Sequence, residues 1–471
     1  MNDQQVSHII TDHLTVPLHT GHSKALRFNK QILVSVTKAL ERPVSPTALF
    51  GRAIDINKIR LFWARPSESL YLVGIGQTVS LDSHQLKPIE EIKQSYNALL
   101  LDAVIESPDV KGVGPIFLGG FSFDPDTPKE TLWADFPNGR MILPQFVFSS
   151  SHDTHWLTIS VLIQPGSDIN EIKNQLISEV DLLFENLGPD FIPKESSMNP
   201  EILNQTSPEE WSDRVSQALH FVDSSDLEKV VLARKIELYS HTEFSPVSIL
   251  IELCNSYPSC TIFALNSGDS HFLGASPEIL VDLEGGSLQL LCLAGSIKRG
   301  NSALENASLA KILKSSAKDL REHSTVVKSI SDSLQKLCAD LYWDPSPSVL
   351  QLPNLQHLAT SFSGNLKSDG NLFDLIQTLH PTPAVGGTPR EKALALIRKL
   401  EGDRGWYAGP VGWIDHRGNG QSSVAIRSAI TKGNYATLFA GSGIVAGSDA
   451  NLEEQETELK FKPLLKALGM N

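Results

Sequence analysis

Cysteine is scarce in this sequence, and the few present are not placed to work together. Cys254, Cys260, Cys292 and Cys338 form no CxxC pair and stand among apolar or plain neighbours. A disulfide framework and a zinc cluster are therefore not expected, and the four read as reduced, mostly buried thiols of a cytosolic protein. Also missing is an apolar run of about 18 residues, so no membrane-spanning helix is expected. The N-terminal stretch MNDQQVSHIITDHLTVPLHTGH lacks the basic start and apolar core of a secretory signal. Its histidines, His8, His13, His19 and His22, follow no ligand spacing, and the stretch reads as a variable surface segment. Positive charge is in deficit, with 40 Lys and Arg against 54 Asp and Glu, a formal net charge of −14. Nucleic acid is thus not an expected partner, because no basic field is available to neutralise phosphates. A small anion remains admissible, since a local pocket can oppose the global sign.

What is present is size and alternation. The 471 residues exceed the roughly 250–300 at which one core usually stops growing. Two domains or one large unit are the options. LRFNKQILVS, IRLFWARP, LYLVGIG and THWLTISVLI read as strands, and the glycines and aromatics of GPIFLGGFSFDPD suggest a strand pressed on a neighbouring backbone. Residues 171–188 have helical spacing. A connector rich in Pro, Ser and Asn follows near 189–210, and Ser207 with Glu210 makes a capping box for the next helix. EKVVLARKIEL is a strand, PVSILIELCNSY a helix, and Gly285-Gly286 a hairpin turn. The stretch 303–342 reads as one long helical region. YAGPVGWIDHRGNGQSSVAIRSAI reads as two strands, and LEEQETELKFKPLLKAL as a terminal helix. Many hairpins and few βαβ units point to α+β, with mainly antiparallel sheets and helices outside. The organisation is a variable segment 1–45, a β-rich part 46–195 and a region 206–468.

Several residues could carry chemistry. Lys229 shares one strand face with Val231 and Ala233, while the other face is also apolar. Desolvation there favours a neutral amine, which is a general base. The segment equally fits an edge lysine with its ammonium in water. Glu278, after Ser276-Pro277, is a candidate general acid or an ordinary turn carboxylate. Asp319 and Glu322 share a helix face, as do Glu453, Glu456 and Lys460. Two such faces turned inward would suit Mg²⁺, and turned outward would be solvated. Gly295-Ser296 and Gly441 allow close backbone approach to an anion without matching a nucleotide-binding fingerprint. Arg427 reads as mid-strand among apolar neighbours and needs an anionic partner.

In order, KVVLAR, FLGASPEIL, LAGS, DLREH, HLATSFSG, HPTPAVGG, YAGPVGW, VAIRS, FAGSGIV and EEQETELK resemble the chorismate-utilising enzymes, from about Glu209 to Leu468. The resemblance implies two large stacked sheets forming one intertwined unit, with the site in a cleft between them. It implies that Lys229 activates water and that Glu278 protonates the departing hydroxyl. Glu322 and Glu456 would ligate Mg²⁺, with Asp319 and Glu453 behind them. Arg427 and Tyr407 would hold the enolpyruvyl carboxylate, and Lys460, Ser296 and the Gly295 and Gly441 backbone the other anionic groups. Ammonia-using relatives typically carry glutamine at the position of Lys229, so lysine points to isochorismate or salicylate synthase. Salicylate synthases commonly have threonine where Ala384 stands, which favours stopping at isochorismate. The partners implied are chorismate and isochorismate, handled by a cytoplasmic monomer. A menaquinone pathway is favoured over a siderophore one by the long N-terminal region. A catalytically silent relative would be expected to have lost one of Lys229, Glu278, Glu322 or Glu456.

Overall fold

In the computed structural model, residues 4–470 are described apart from 42, 57, 152–153, 186–197, 352–354 and 368–369. Two large sheets dominate. Among the described residues, one has 13 strands and the other 10. The larger runs from Glu201–Gln205 through Lys229–Tyr239, Tyr435–Val445, Ser428–Lys432, Ser270–Ser276 and Thr261–Ser267 to Arg60–Arg65. It continues through Leu70–Ile75, Phe146–Ser151, Thr154–Ile163 and Ile32–Leu40 to Val104–Glu106. Only that last pairing is parallel among those described. The smaller has Ser287–Lys298, Ile279–Glu284, Gly420–Val424, Pro410–Asp415 and Ile116–Phe121 at its centre. One apolar cluster joins residues of both sheets, including Leu72, Phe117, Leu232 and Trp413. A second joins the larger sheet to helices, through Leu18, Leu176, Leu250 and Leu464. The expected stacked α+β sandwich is therefore present.

Close approach explains the glycine-rich strand. A Cβ on Gly119 would lie 1.9 Å from the Arg140 carbonyl oxygen, so only glycine fits there. The Gly285-Gly286 hairpin forms as expected, with both residues at positive φ and Glu284 opposite Ser287. Ser207 caps Pro208–Ser224 by accepting from the Glu210 N–H. Glu210 turns its carboxylate to Arg214.

Four expectations need correction. The stretch 1–45 contains the helix Gln4–Phe28 and the strand Ile32–Leu40, which lies inside the larger sheet. Leu14, Leu18 and Ala25 are buried on the helix, and Gly21 lets it approach Val34. That stripe is diluted by histidines and Pro17, which hid it. The region 303–342 is two helices, Ala303–Ser315 and Ala317–Leu334, followed by the strand Cys338–Trp343. Ser316 ends the first helix and caps the second by accepting from the Asp319 N–H. The connector near 189–210 contains the strand Glu201–Gln205, and its part 189–197 lies outside the described residues. Finally, VAIRS is not continuous. Gly420–Val424 belongs to the smaller sheet and Ser428–Lys432 to the larger, and Arg427 between them has φ +50°.

Candidate active site

The site lies where the chain crosses between the sheets. Ser270–Ser276 ends in the larger sheet and Ile279–Glu284 begins in the smaller, with Glu278 in the crossing. Arg427 sits in a second crossing alongside. The two are tied together: the Val424 N–H donates to the Glu278 carbonyl at 3.1 Å, and the Ser276 hydroxyl to the Val424 carbonyl at 2.6 Å. An acid and a guanidinium are thus delivered to one spot by backbone that has left both ladders.

Lys229 opens the strand Lys229–Tyr239 and is only 4% exposed, which excludes the solvated edge lysine. Its Nζ donates to Glu322 Oε1 at 2.7 Å. Gly443 on the adjacent strand makes room for it, since a Cβ there would meet Lys229 Cε at 2.8 Å. Glu322 is held by its neighbour in sequence. The His323 ring bridges the Ala294 carbonyl, at 3.1 Å, and the Thr360 hydroxyl, at 2.8 Å. That ties helix Ala317–Leu334 to two strands of the smaller sheet. On the terminal helix Ala450–Ala467, Lys460 donates to Glu456 at 2.6 Å and to the Gly441 carbonyl at 2.7 Å.

Lys229, Glu278, Gly295, Ser296, Glu322, Ala384, Tyr407, Arg427, Gly441, Glu456 and Lys460 all line one cavity with a free volume of about 90 Å³. Asp319 and Glu453 do not line it. Asp319 packs beside Gly295, and the Glu453 carboxylate accepts from Ser442 in the strand that carries Gly441 and Gly443. Both act on the scaffold. Gly295 has φ +78° at a bulge between Ala294 and Ser296, which only glycine adopts at little cost. Gly441 contributes space: its carbonyl is taken by Lys460, and a Cβ would lie 3.0 Å from the Tyr407 hydroxyl.

Electrostatics divide the groups by task. Burial pushes the Glu278 carboxyl up to about 7, against the pull of Lys229, Lys460 and Arg427. A carboxyl poised there can give a proton near neutrality. Burial would raise Glu456 too, but Lys460, His357 and Lys229 outweigh it and hold that carboxyl below its usual range. Arg427 is buried and lowered by desolvation, and no ion-pair partner for it exists among the described residues. A buried guanidinium without a carboxylate is a place for an anion to dock. Burial also raises the Tyr407 hydroxyl to about 12, so it stays a neutral donor.

Sequence reasoning missed His357. Its Nδ1 meets the Ser296 hydroxyl at 2.8 Å, and its Nε2 is buried without a partner. Desolvation, with Arg427 and Lys460 nearby, pushes it down to about 3, leaving a neutral ring in the cavity wall. The residue lies in HLATSFSG, but a lone histidine in an apolar strand carries no signal of its own.

Among the described residues, no group of three or more His, Cys, Asp or Glu side chains is placed to hold a metal. Glu322 and Glu456, however, face one cavity. Two carboxylates suffice for Mg²⁺, which keeps several waters and takes further oxygens from its substrate. The residues fit such an ion, although each carboxylate is held by a lysine.

Fold and site together bring two lysines, an arginine and three carboxyl groups onto one cavity. The profile of the chorismate binding enzyme family matches residues 20–469, and the chain belongs to that family. It is 33% identical to the isochorismate synthase MenF of Bacillus subtilis, over 96% of this chain and 96% of that one. It is 39% identical to the vibriobactin-specific isochorismate synthase of Vibrio cholerae, over 91% of this chain and 96% of the relative. The menaquinone-specific isochorismate synthase of Escherichia coli has the same fold, with a TM-score of 0.77 at 22% identity, covering 96% of this chain and 100% of that one.

Proposed function

We propose that the protein is an isochorismate synthase, adding water at C2 of chorismate with loss of the C4 hydroxyl, and that it serves menaquinone synthesis. The observation that carries the reading is the pairing of buried Lys229 with a Glu278 carboxyl raised to about 7 in one cavity. Lys229 takes the proton of the attacking water, and Glu278 gives one to the departing hydroxyl. The water oxygen bonds to C2, both ring double bonds shift by one position, and the C4–O bond breaks. Protons balance, because the base gains one and the acid loses one. In reverse the two exchange roles. Arg427 and Tyr407 hold the enolpyruvyl carboxylate, and Lys460 the remaining anionic edge.

Mg²⁺, held by Glu322 and Glu456, would neutralise the ring carboxylate and fix its orientation. Charge counting supports it. With one proton on the Lys229 and Glu278 pair, the charges of Lys229, Lys460 and Arg427 are cancelled by those of Glu278, Glu322 and Glu456, which leaves nothing to balance a substrate with two carboxylates. Similarity to MenF of Bacillus subtilis over nearly the whole of both chains supports the menaquinone branch. Ala384 and Val385 at the cavity wall add no hydroxyl that could assist pyruvate loss. Chromatography after incubation with chorismate and Mg²⁺ is the test. Isochorismate without salicylate or pyruvate is expected, and EDTA should stop its formation. Salicylate as the main product would overturn the assignment, and full turnover in EDTA would remove the metal.

A further inference from the structure

A second cavity lies against the first. Its volume is about 500 Å³, and Val222, Leu227, Lys318, Arg321, Thr325 and Val445 are among its walls. The two cavities share two lining residues, Lys229 and Glu322. The hydrogen-bonded pair, with Nζ and Oε1 2.7 Å apart, is therefore the partition between them. Lys318 and Arg321 stand exposed, and Leu227 is buried. Thus the chamber reaches from solvent to the base without crossing the substrate's cavity.

We infer that this chamber is the road by which the nucleophile, water, reaches Lys229 while chorismate occupies the other side. The inference rests on the isochorismate synthase reading. A six-membered ring with two carboxylates cannot pass between atoms in hydrogen-bond contact, so the partition stops substrate. Water can pass by exchange. The space exceeds the roughly 30 Å³ share of one water many times over. A water at the partition finds the polar partners it needs in the lysine nitrogen, the Glu322 carboxylate and the Thr325 hydroxyl. In its base form Lys229 is a neutral amine with two N–H groups and a lone pair, and one N–H is used on Glu322. The lone pair accepts from a water that then adds its oxygen to C2 and leaves its proton on Nζ, while Glu278 protonates the C4 hydroxyl that departs as water. The substrate cavity, with a free volume of about 90 Å³, has little room for a water supply of its own once substrate is bound.

Reversible plugging tests the road. Thr325→Cys puts a thiol in the chamber, one helical turn from Glu322. Methyl and benzyl methanethiosulfonates would then fill the chamber in the folded protein, and parent enzyme treated alike controls for Cys254, the half-buried native thiol. The expected result is a kcat that falls with adduct size, by about tenfold or more for benzyl, with KM for chorismate within about twofold. Dithiothreitol should restore it. Val222→Cys, on the helix Pro208–Ser224, repeats the test should the first variant fold poorly. An unchanged kcat with the benzyl adduct in place overturns the inference. So does a raised KM at constant kcat, which would make the chamber the substrate's road. The untreated variants must first make isochorismate, so a failure of the functional reading is seen before the plug is applied.

Discussion

Glu278 and Lys229 line one cavity, and the pH dependence of the proposed reaction follows from counting protons. The working enzyme holds one proton on the pair, on the carboxyl for the forward reaction and on the amine for the reverse. Those are two arrangements of one charge state. Substrate and product are isomers of equal charge, so kcat/KM must have the same pH profile in both directions. It should rise with pH through about 7, where the Glu278 carboxyl loses its proton. Glu278→Gln should cost roughly 10²–10⁴-fold in rate and erase the rising limb. A variant with that limb intact would assign it to another group. Lys229→Gln should abolish isochorismate formation and admit ammonia weakly, which an assay with and without ammonium salts resolves. Parental isochorismate formation by this variant would remove Lys229 as the base. The alternation of Val231 and Ala233 with apolar residues on both faces left Lys229 open between a buried base and a solvated edge lysine, and only the family resemblance pointed to the base. The raised carboxyl was not legible, because it depends on the burial of Glu278 at a crossing between sheets, which no local pattern shows.

Elements place these residues through contacts outside the cavity. Arg234, on the strand that begins with Lys229, is 3% exposed and faces the terminal helix. It binds Thr457 and Glu458 at 2.8 Å and Glu454 at 3.2 Å. Glu456 and Lys460 line the cavity from the same helix, so one arginine sets the helix that presents them. Arg234→Met should cost about 1–3 kcal/mol, below the range for a fully buried pair because Glu458 is half exposed. Thermal unfolding measures this, and activity at subsaturating Mg²⁺ should fall more than at saturation. Equal losses at both concentrations would leave Arg234 with stability alone. Helical spacing of Glu453, Glu456 and Lys460 revealed a shared face, which only the family resemblance turned inward. It could not reveal which of the acids reach the cavity, and Glu453 stops at Ser442. The Ala303–Leu334 break was hidden for a similar reason. Ser316 sits among good helix formers, and only its cap geometry shows that one helix ends and another begins.

At the scale of the molecule, the expected regions 46–195 and 206–468 share both sheets. Thr261–Ser267 pairs with Arg60–Arg65, and Pro410–Asp415 pairs with Ile116–Phe121. All four strands are central, and the two from the later region are buried along their whole length. Strand patterns in the sequence identified most of these segments. Partners so far apart in the chain leave no local trace, so the interleaving was legible only through family resemblance. Separation would leave two buried strands as bare edges, each a template for pairing with another chain. The fragment 206–468 carries every residue of the site cavity, yet expressed alone it should aggregate or stay unfolded. The full chain should unfold in one transition, with far- and near-ultraviolet circular dichroism coinciding. The fragment removes no side chain from the cavity, so its inactivity would measure the sheets' contribution alone. A soluble, cooperatively folded and active fragment would show that the catalytic region closes its own sheets and that the pairing across the halves is dispensable.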